Sequence, residues 1–296
     1  MNSLIVKSPS KINLYLKVIG RRKDGYHKLV TIFQRISLAD IISIKKQKTG
    51  FRLTCLVSSG LKQNLSCGED NLITKAYRLL QSKFPNLGGV SVRLIKKTPM
   101  GAGIGGGSGN AAAFLIGMKK LYALSISKKT LTKLGSRLGA DVAFFLYDKP
   151  LAVGRGVGDE IKSLRIKGKL WFVLVLSEKG LSTPQVYKNL PRMLPPVSLT
   201  KINTAVRLIG GLLSPEKCAG TSGLLENDLE LPAFSLRPEL QKMIKKIYEK
   251  GYEATRMTGS GPTVFSMVSS FKAAQKLAGE LRREFPKNKV IVCSSF

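Results

Sequence analysis

The chain has 296 residues and carries 49 Lys and Arg against 18 Asp and Glu, a net charge of +31, which points to anionic partners: nucleic acid or a phosphorylated small molecule. One histidine, His27, and four cysteines (Cys55, Cys67, Cys218, Cys293) with no CxxC pair exclude a Cys/His zinc site and a disulfide framework; a Ser-His-Asp hydrolase would have to rest on His27 in the turn-like "KDGYHKL". With 43% hydrophobic residues, no long apolar run, and an N-terminus "MNSLIVKSPSKINLYL" that lacks a leader's apolar stretch, the composition predicts a two-domain cytoplasmic protein with no membrane segment.

In chain order, "KINLYLKVI", a turn at "GRRKDG", "HKLVTIFQRISL" and "DIISIKK" alternate like a β-meander. "EDNLITKAYRLLQSKF" predicts a helix with an acidic cap, and Leu72, Ala76, Leu79 and Leu80 follow at helical spacing. A strand over 90–97 leads into "TPMGAGIGGGSGNAA", and a helix is predicted over 110–124. "SKKTLTKLGSRLG" places Leu131, Leu134 and Leu138 on one helical face with Ser127 as N-cap. The glycine-rich "VGRGVGDE" leads into a new unit. "LWFVLVLS" reads as a buried strand, and "STPQVYKNL" as a helix with a Ser cap and an early proline. "ELQKMIKKIYEKG" is an amphipathic helix closed by Gly251. A strand over 252–257, the glycine turn "TGSGP", the strand "TVFSMV", the helix "FKAAQKLAGELRREF" and the strand "KVIVCS" complete an αββαβ tail, an α+β order. The basic residues are spread along the whole chain, the pattern of a lysine-rich surface more than of a nucleic-acid arm. An RNA-binding protein is the rival the charge suggests, but such sheets display clustered aromatics, and here the tail strands offer only Phe265 and Phe296.

The segment Gly101 to Gly109 holds six glycines in nine positions. A Walker A loop needs a lysine directly after its last glycine, and none follows. Gly101, Gly103 and Gly106 match G-x-G-x-x-G, but a dinucleotide fold also needs an acid about 20 residues on to bind the ribose. Residues 71–140 contain no Asp or Glu. The H-R-D and D-F-G elements of a protein kinase are absent. What remains is a strand, a wide loop and a helix N-terminus, whose backbone N–H groups and dipole suit an anion. Ser108 and Asn110 supply polar side chains there. Asp141, in "LGADVAFFL", is the first carboxylate after Asp70 and is either a helix cap or a base held near phosphates.

"PMGAGIGGGSGNAA" resembles the ATP-phosphate loop of the GHMP small-molecule kinases. "SPSKINLYLKVIGRRKDGYHKL", "GEDNLI", "LGADVAFFL", "GRGVGDEI", "ENDLE" and "MTGSGPTVF", in order along nearly the full chain, resemble those members that phosphorylate the 2-hydroxyl of diphosphocytidyl-methylerythritol on the way to isoprenoid precursors. Other members, acting on homoserine or mevalonate, are the alternative. The resemblance implies an α/β (α+β) fold of two domains with the active site in the cleft between them. Residues 1–155 would form the ATP-binding domain with the glycine loop, and 156–296 a ferredoxin-like domain.

The resemblance further implies ATP as co-substrate with Mg²⁺, and Lys11 and Asp141 as catalytic residues. The ATP loop would comprise Pro99, Met100, Gly101, Ala102, Gly103, Ile104, Gly105, Gly106, Gly107, Ser108, Gly109 and Asn110, with Ser108 also toward the metal. Asn13, Tyr26, His27, Thr183 and Tyr187 would hold the substrate, Tyr187 stacking on its cytosine. The family loop usually reads G-L-G-G-G-S-S; here Ile104 stands for the leucine and Gly109 for the second serine.

Overall fold

The computed structural model describes residues 1–58, 65–165, 168–191, 198–212 and 223–296; Cys218 lies outside them. In chain order the elements begin with β1 (Ser3–Arg21), β2 (His27–Gln47), β3 (Phe51–Val57), α1 (Leu72–Lys83), β4 (Gly89–Lys96) and α2 (Gly106–Leu121). They continue with α3 (Lys128–Ser136), α4 (Ala140–Tyr147), β5 (Leu151–Arg155), β6 (Glu160–Ser163), β7 (Trp171–Leu176), α5 (Thr183–Lys188) and α6 (Leu199–Leu212). The last are β8 (Glu226–Asn227), α7 (Glu230–Leu236), α8 (Pro238–Glu249), β9 (Thr255–Met257), β10 (Val264–Val268), α9 (Phe271–Glu284) and β11 (Lys289–Ser294). Backbone contacts divide them into two compact units, each built from several segments.

The first unit comprises Met1–Ser10, Leu38–Met100 and Gly105–Lys149. Here the second half of β2 pairs antiparallel with β4 from Ile41↔Ile95 to Gln47↔Gly89, and β4 pairs parallel with β3. Ile42, Ile44, Val90, Val92 and Leu94 are buried in this sheet. Helix α2 carries Ala111, Ala112, Phe114, Leu115 and Met118 buried, and it packs with α1 and α4. It starts at Gly106, four residues before the expected Asn110, because the last glycines of the loop take up the helix's first turn. In α1, Asn71 is the N-cap rather than either acid before it: its side chain accepts from Ile73 N. Ser127 caps α3 as expected, accepting from Thr130 N.

The second unit comprises Lys11–Ser37, Gly101–Ile104 and Pro150–Phe296. "HKLVTIFQRISL" and "DIISIKK" are parts of the single strand β2, whose first half pairs antiparallel with β5. The glycine-rich "VGRGVGDE" forms the β5–β6 hairpin near the start of the Pro150–Phe296 segment of this unit. The tail forms an antiparallel sheet in the order β11-β7-β10-β9, with α8 and α9 returning onto it. Val173, Val175 and Val264 of that sheet share a buried core with Leu240, Ile244, Ile247, Leu277 and Leu281 of the two helices. This is the split βαβ arrangement expected of a ferredoxin-like tail. Phe265 is fully buried in β10, which removes it as a base-stacking platform. No helix among the described residues is long and apolar enough to cross a membrane.

The cap of α1 gives a direct test of this reading. Replacing a capping Asn by Ala costs about 0.5–2 kcal/mol. Asn71→Ala should therefore lower the melting temperature by a few degrees, while Glu69→Ala and Asp70→Ala, at the acids expected to cap, should have a smaller effect. Thermal unfolding of the three variants checks it.

Candidate active site

Strand β1 is buried on both faces from Ser10 to Leu16, so the polar residues inside it need partners within the protein. Lys11 is only 4% exposed. Its ammonium donates to Asn13 Oδ1 at 2.6 Å and to the carbonyl of Gly103 at 3.0 Å. Its backbone N–H donates to the carbonyl of Ile104 at 2.9 Å, so one residue grips the middle of the glycine loop twice. Asn13 is buried as well, and its amide donates to Thr31 Oγ1 at 2.7 Å. Its oxygen and nitrogen thus both face protein groups, which makes it a clamp on Lys11.

A second glycine segment completes this cluster. Asn13 N donates to Thr258 Oγ1 at 2.8 Å, and Ser260 shares a 2.7 Å hydrogen bond with Thr183 at the start of α5. The motif "ENDLE" explains how that turn is held. Asn227 Nδ2 donates to the carbonyls of Met257 and Gly259, and Glu230 accepts from Met257 N at 2.8 Å. Burial pushes the Glu230 carboxyl up from the usual range. At Gly103 φ is +74°, and a Cβ there would fall 2.5 Å from the Thr258 carbonyl and 2.8 Å from that of Gly261. The two glycine segments meet backbone to backbone at this point, and a side chain would part them.

Tyr26 projects from the Arg22–Tyr26 turn and is 67% exposed. His27 begins β2, and its ring stacks on Tyr187 of α5 with centroids 5.2 Å apart at 28°. Burial, with the charge of Arg21 adding to it, holds the His27 imidazole below the usual histidine range. The rings of His27 and Tyr187 therefore present a stacked pair rather than two separate contacts.

In the first unit, Asp141 is the second residue of α4 and half-buried. Gly139 occupies the N-cap, without a side-chain cap bond. Of the two readings the sequence left open, the capping role is thereby removed. Ser108 is the third residue of α2 and half-buried, and Pro99 and Asn110 are buried. Asn110 does not face outward. It donates to Ser8 Oγ at 2.9 Å and to Asp40 Oδ2 at 2.9 Å. A Cβ at Gly109 would stand 2.5 Å from the Pro9 carbonyl and 3.1 Å from Ser8 Oγ, so glycine suits the close approach of α2 to β1 at this position. Asp40, Lys96 and Thr98, with Ser8, form a buried polar cluster that the sequence reading missed. A lone acid between apolar residues in "SLADIISI" and the paired lysines before the loop were the available signals.

The chain matches the model described as GHMP kinases N terminal domain over residues 71–149 and that described as GHMP kinases C terminal over residues 208–287. It is 37% identical over 287 residues to a 4-diphosphocytidyl-2-C-methyl-D-erythritol kinase of Moorella thermoacetica, covering 97% of this chain and 98% of that one. It is 33% identical to the protein of the same name from Gloeothece citriformis, covering 95% and 92%. A crystal structure of 4-(cytidine 5'-diphospho)-2C-methyl-D-erythritol kinase superposes with a TM-score of 0.79 at 30% identity over 98% of each chain. A homoserine kinase from Cytophaga hutchinsonii follows at 0.76 and 19% identity, over 100% of this chain and 95% of that one, a likeness of fold alone.

Two measurements test the site's geometry. Gly101 also has a positive φ, +62°, but a Cβ there would meet nothing nearer than 3.5 Å. Gly103→Ala should therefore lower the melting temperature clearly more than Gly101→Ala, and equal losses would show that the two glycine segments do not meet as described. Because the chain has one histidine, a single proton NMR titration reads His27. Its pKa should lie below the ordinary value of about 6.5, and Arg21→Gln should move it upward. The sign for stability follows: a histidine held neutral in the fold contributes fully above about pH 6.5 and loses that contribution as the pH falls through the lowered value.

Proposed function

The chain belongs to the GHMP kinases and within them to the 4-diphosphocytidyl-2-C-methyl-D-erythritol kinases, and we propose that it transfers the γ-phosphoryl group of ATP to the 2-hydroxyl of 4-diphosphocytidyl-2-C-methyl-D-erythritol. The observation that carries the assignment of roles is the buried Lys11, fixed by Asn13 and joined to the glycine loop through Gly103 and Ile104.

Phosphoryl transfer needs positioning and charge neutralisation more than covalent chemistry. The backbone N–H groups of residues 100–108, with the N-terminus of α2, hold the ATP phosphates. The acceptor oxygen attacks the γ-phosphorus, its proton passes to Asp141, and the bond to the bridging oxygen of ADP breaks. Lys11 stabilises the charge on the transferred group. Tyr26, His27 and Tyr187 take the cytosine, and Thr183, the first residue of α5, contacts the rest of the acceptor. Asn13 serves the reaction by holding Lys11.

Mg²⁺ keeps waters and phosphate oxygens as most of its ligands; Ser108, half-buried in the first turn of α2, would add its hydroxyl, and the ion would neutralise phosphate charge. Its use of ATP as co-substrate supports a cytoplasmic location.

The direct experiment is ADP release by purified protein with ATP, Mg²⁺ and the diphosphocytidyl substrate, run beside mevalonate and homoserine. Turnover with either of the latter alone would overturn the acceptor. Asp141→Asn should bind both substrates within a few-fold yet lose kcat by about 10²–10⁴, the usual worth of a positioned base. A fully active Asp141→Asn would end its catalytic role. Tyr187→Ala should raise the KM for the acceptor about five- to a hundredfold, the span of base–aromatic stacking, and leave the KM for ATP nearly unchanged.

A further inference from the structure

Asp40 is fully buried at the middle of β2 and lies outside every role assigned above. Its Oδ1 accepts from Lys97 N at 2.7 Å and from Thr98 N at 2.9 Å. Its Oδ2 accepts from Thr98 Oγ1 at 2.8 Å, from Asn110 Nδ2 at 2.9 Å, and from the ammonium of Lys96. Lys96 in turn donates to Thr98 Oγ1 at 2.5 Å and to Asn110 Oδ1 at 3.2 Å. Residues 97 and 98 are the last before Pro99, and Asn110 lies in the second turn of α2. One carboxylate therefore holds the entry and the exit of the glycine loop together. The cluster also lies directly under the helix start: a Cβ on Gly106 would fall 2.5 Å from Thr98 Oγ1 and 2.9 Å from Lys96 Nζ.

A buried ion pair of this kind is weak evidence of stability, because apolar residues of similar volume often serve a core as well. What it supplies is geometry. The loop has no side chains at six of its nine central positions, so its shape rests on bonds to its backbone, those of Lys11 at its middle and those of the Asp40 cluster at its ends. Backbone donors aimed at phosphate must be preorganised to within about 0.5 Å by the residues around them. Resting on the reading that this loop binds ATP, we propose that Asp40 is its positioning residue: by tying Lys97 and Thr98 to Asn110 it sets the aperture of the loop and with it the affinity for ATP.

The test uses the full-length protein and three readouts: hydrogen exchange of the 100–109 amides with and without ATP, calorimetry with ATP, and separate KM values for ATP and acceptor. ATP should protect the loop amides in the unaltered protein. Asp40→Asn should speed exchange in the loop and weaken ATP about ten- to a hundredfold, the effect of losing one or two charge-assisted hydrogen bonds, with the acceptor KM within twofold. Thr98→Val, which removes one bond to Asp40, should weaken ATP a few-fold, and Thr98→Ser, which keeps it, should restore the original value. Equal ATP affinities for the Val and Ser variants overturn the proposal even where Asp40→Asn does not fold. A parallel rise of both KM values overturns it as well, since that marks a general loss of structure. Unchanged ATP affinity in a folded Asp40→Asn, with the loop protected in the unaltered protein, overturns the role of Asp40 alone. A loop that ATP does not protect overturns the phosphate-loop reading with it.

Discussion

The burial of one lysine organises the second unit. A strand covered on both faces has no place for an ammonium unless oxygen atoms come to it, and Lys11 is 4% exposed. It is met by Asn13 Oδ1 from its own strand and by the Gly103 carbonyl from a loop 92 residues away in sequence. Once Asn13 faces Lys11, its own backbone and side chain must be satisfied, and Thr258 and Thr31 do so. Thr258 belongs to the second glycine turn, so the demand of a single buried charge passes through one amide to a segment 245 residues on. The turn is then fixed from behind by Asn227 and Glu230. Each step is a polar group left without water and given a protein partner.

Much of the fold was legible because it rests on local signals. Ser127 caps α3 as its sequence said, and α8 ends before Gly251, whose φ is +84°. The tail strands and helix fall where their apolar spacing put them. The start of α2 was misplaced for a physical reason: glycine is a poor helix former, so propensity argues against Gly106–Gly109 in a helix. Glycine stands at 106 and 109 in spite of that because the close approach to Thr98 and to the Pro9 carbonyl leaves no room for a Cβ. The α1 cap was misread because Asp70 and Asn71 are both capping types; which one caps depends on backbone geometry, and Asn71 has the extended φ and ψ that the cap needs.

The glycine loop and Asp141 could be singled out by elimination and by the lack of acids around them. Lys11, Asn13 and Thr183 could not be found from periodicity, since each reads as an ordinary residue of a strand or a helix start. Only an ordered set of motifs pointed to them. The buried cluster around Asp40 escaped even that. Its members lie at positions 8, 40, 96, 98 and 110, and no local pattern relates them. Such a cluster exists only once β1, β2, β4 and α2 have come together; the lone acid in "SLADIISI" and the paired lysines mark members singly but do not relate them.

The large positive charge takes on a different meaning once the carboxylates are located. With 49 basic residues against 18 acidic ones, most lysines have no acid to pair with and remain solvated. At a Debye length of about 8 Å at physiological salt, such a surface draws anions in without distinguishing among them. Selection then falls to the few places where charge is buried and its neighbours are fixed. At Lys96 burial pulls the ammonium below the ordinary lysine range, and Asp40 opposes that shift. The chain therefore uses its basic residues in two ways. The many give the surface its positive field, while among the described residues Lys11 and Lys96 are enclosed beside the glycine segments, where each holds backbone or side-chain oxygens in place.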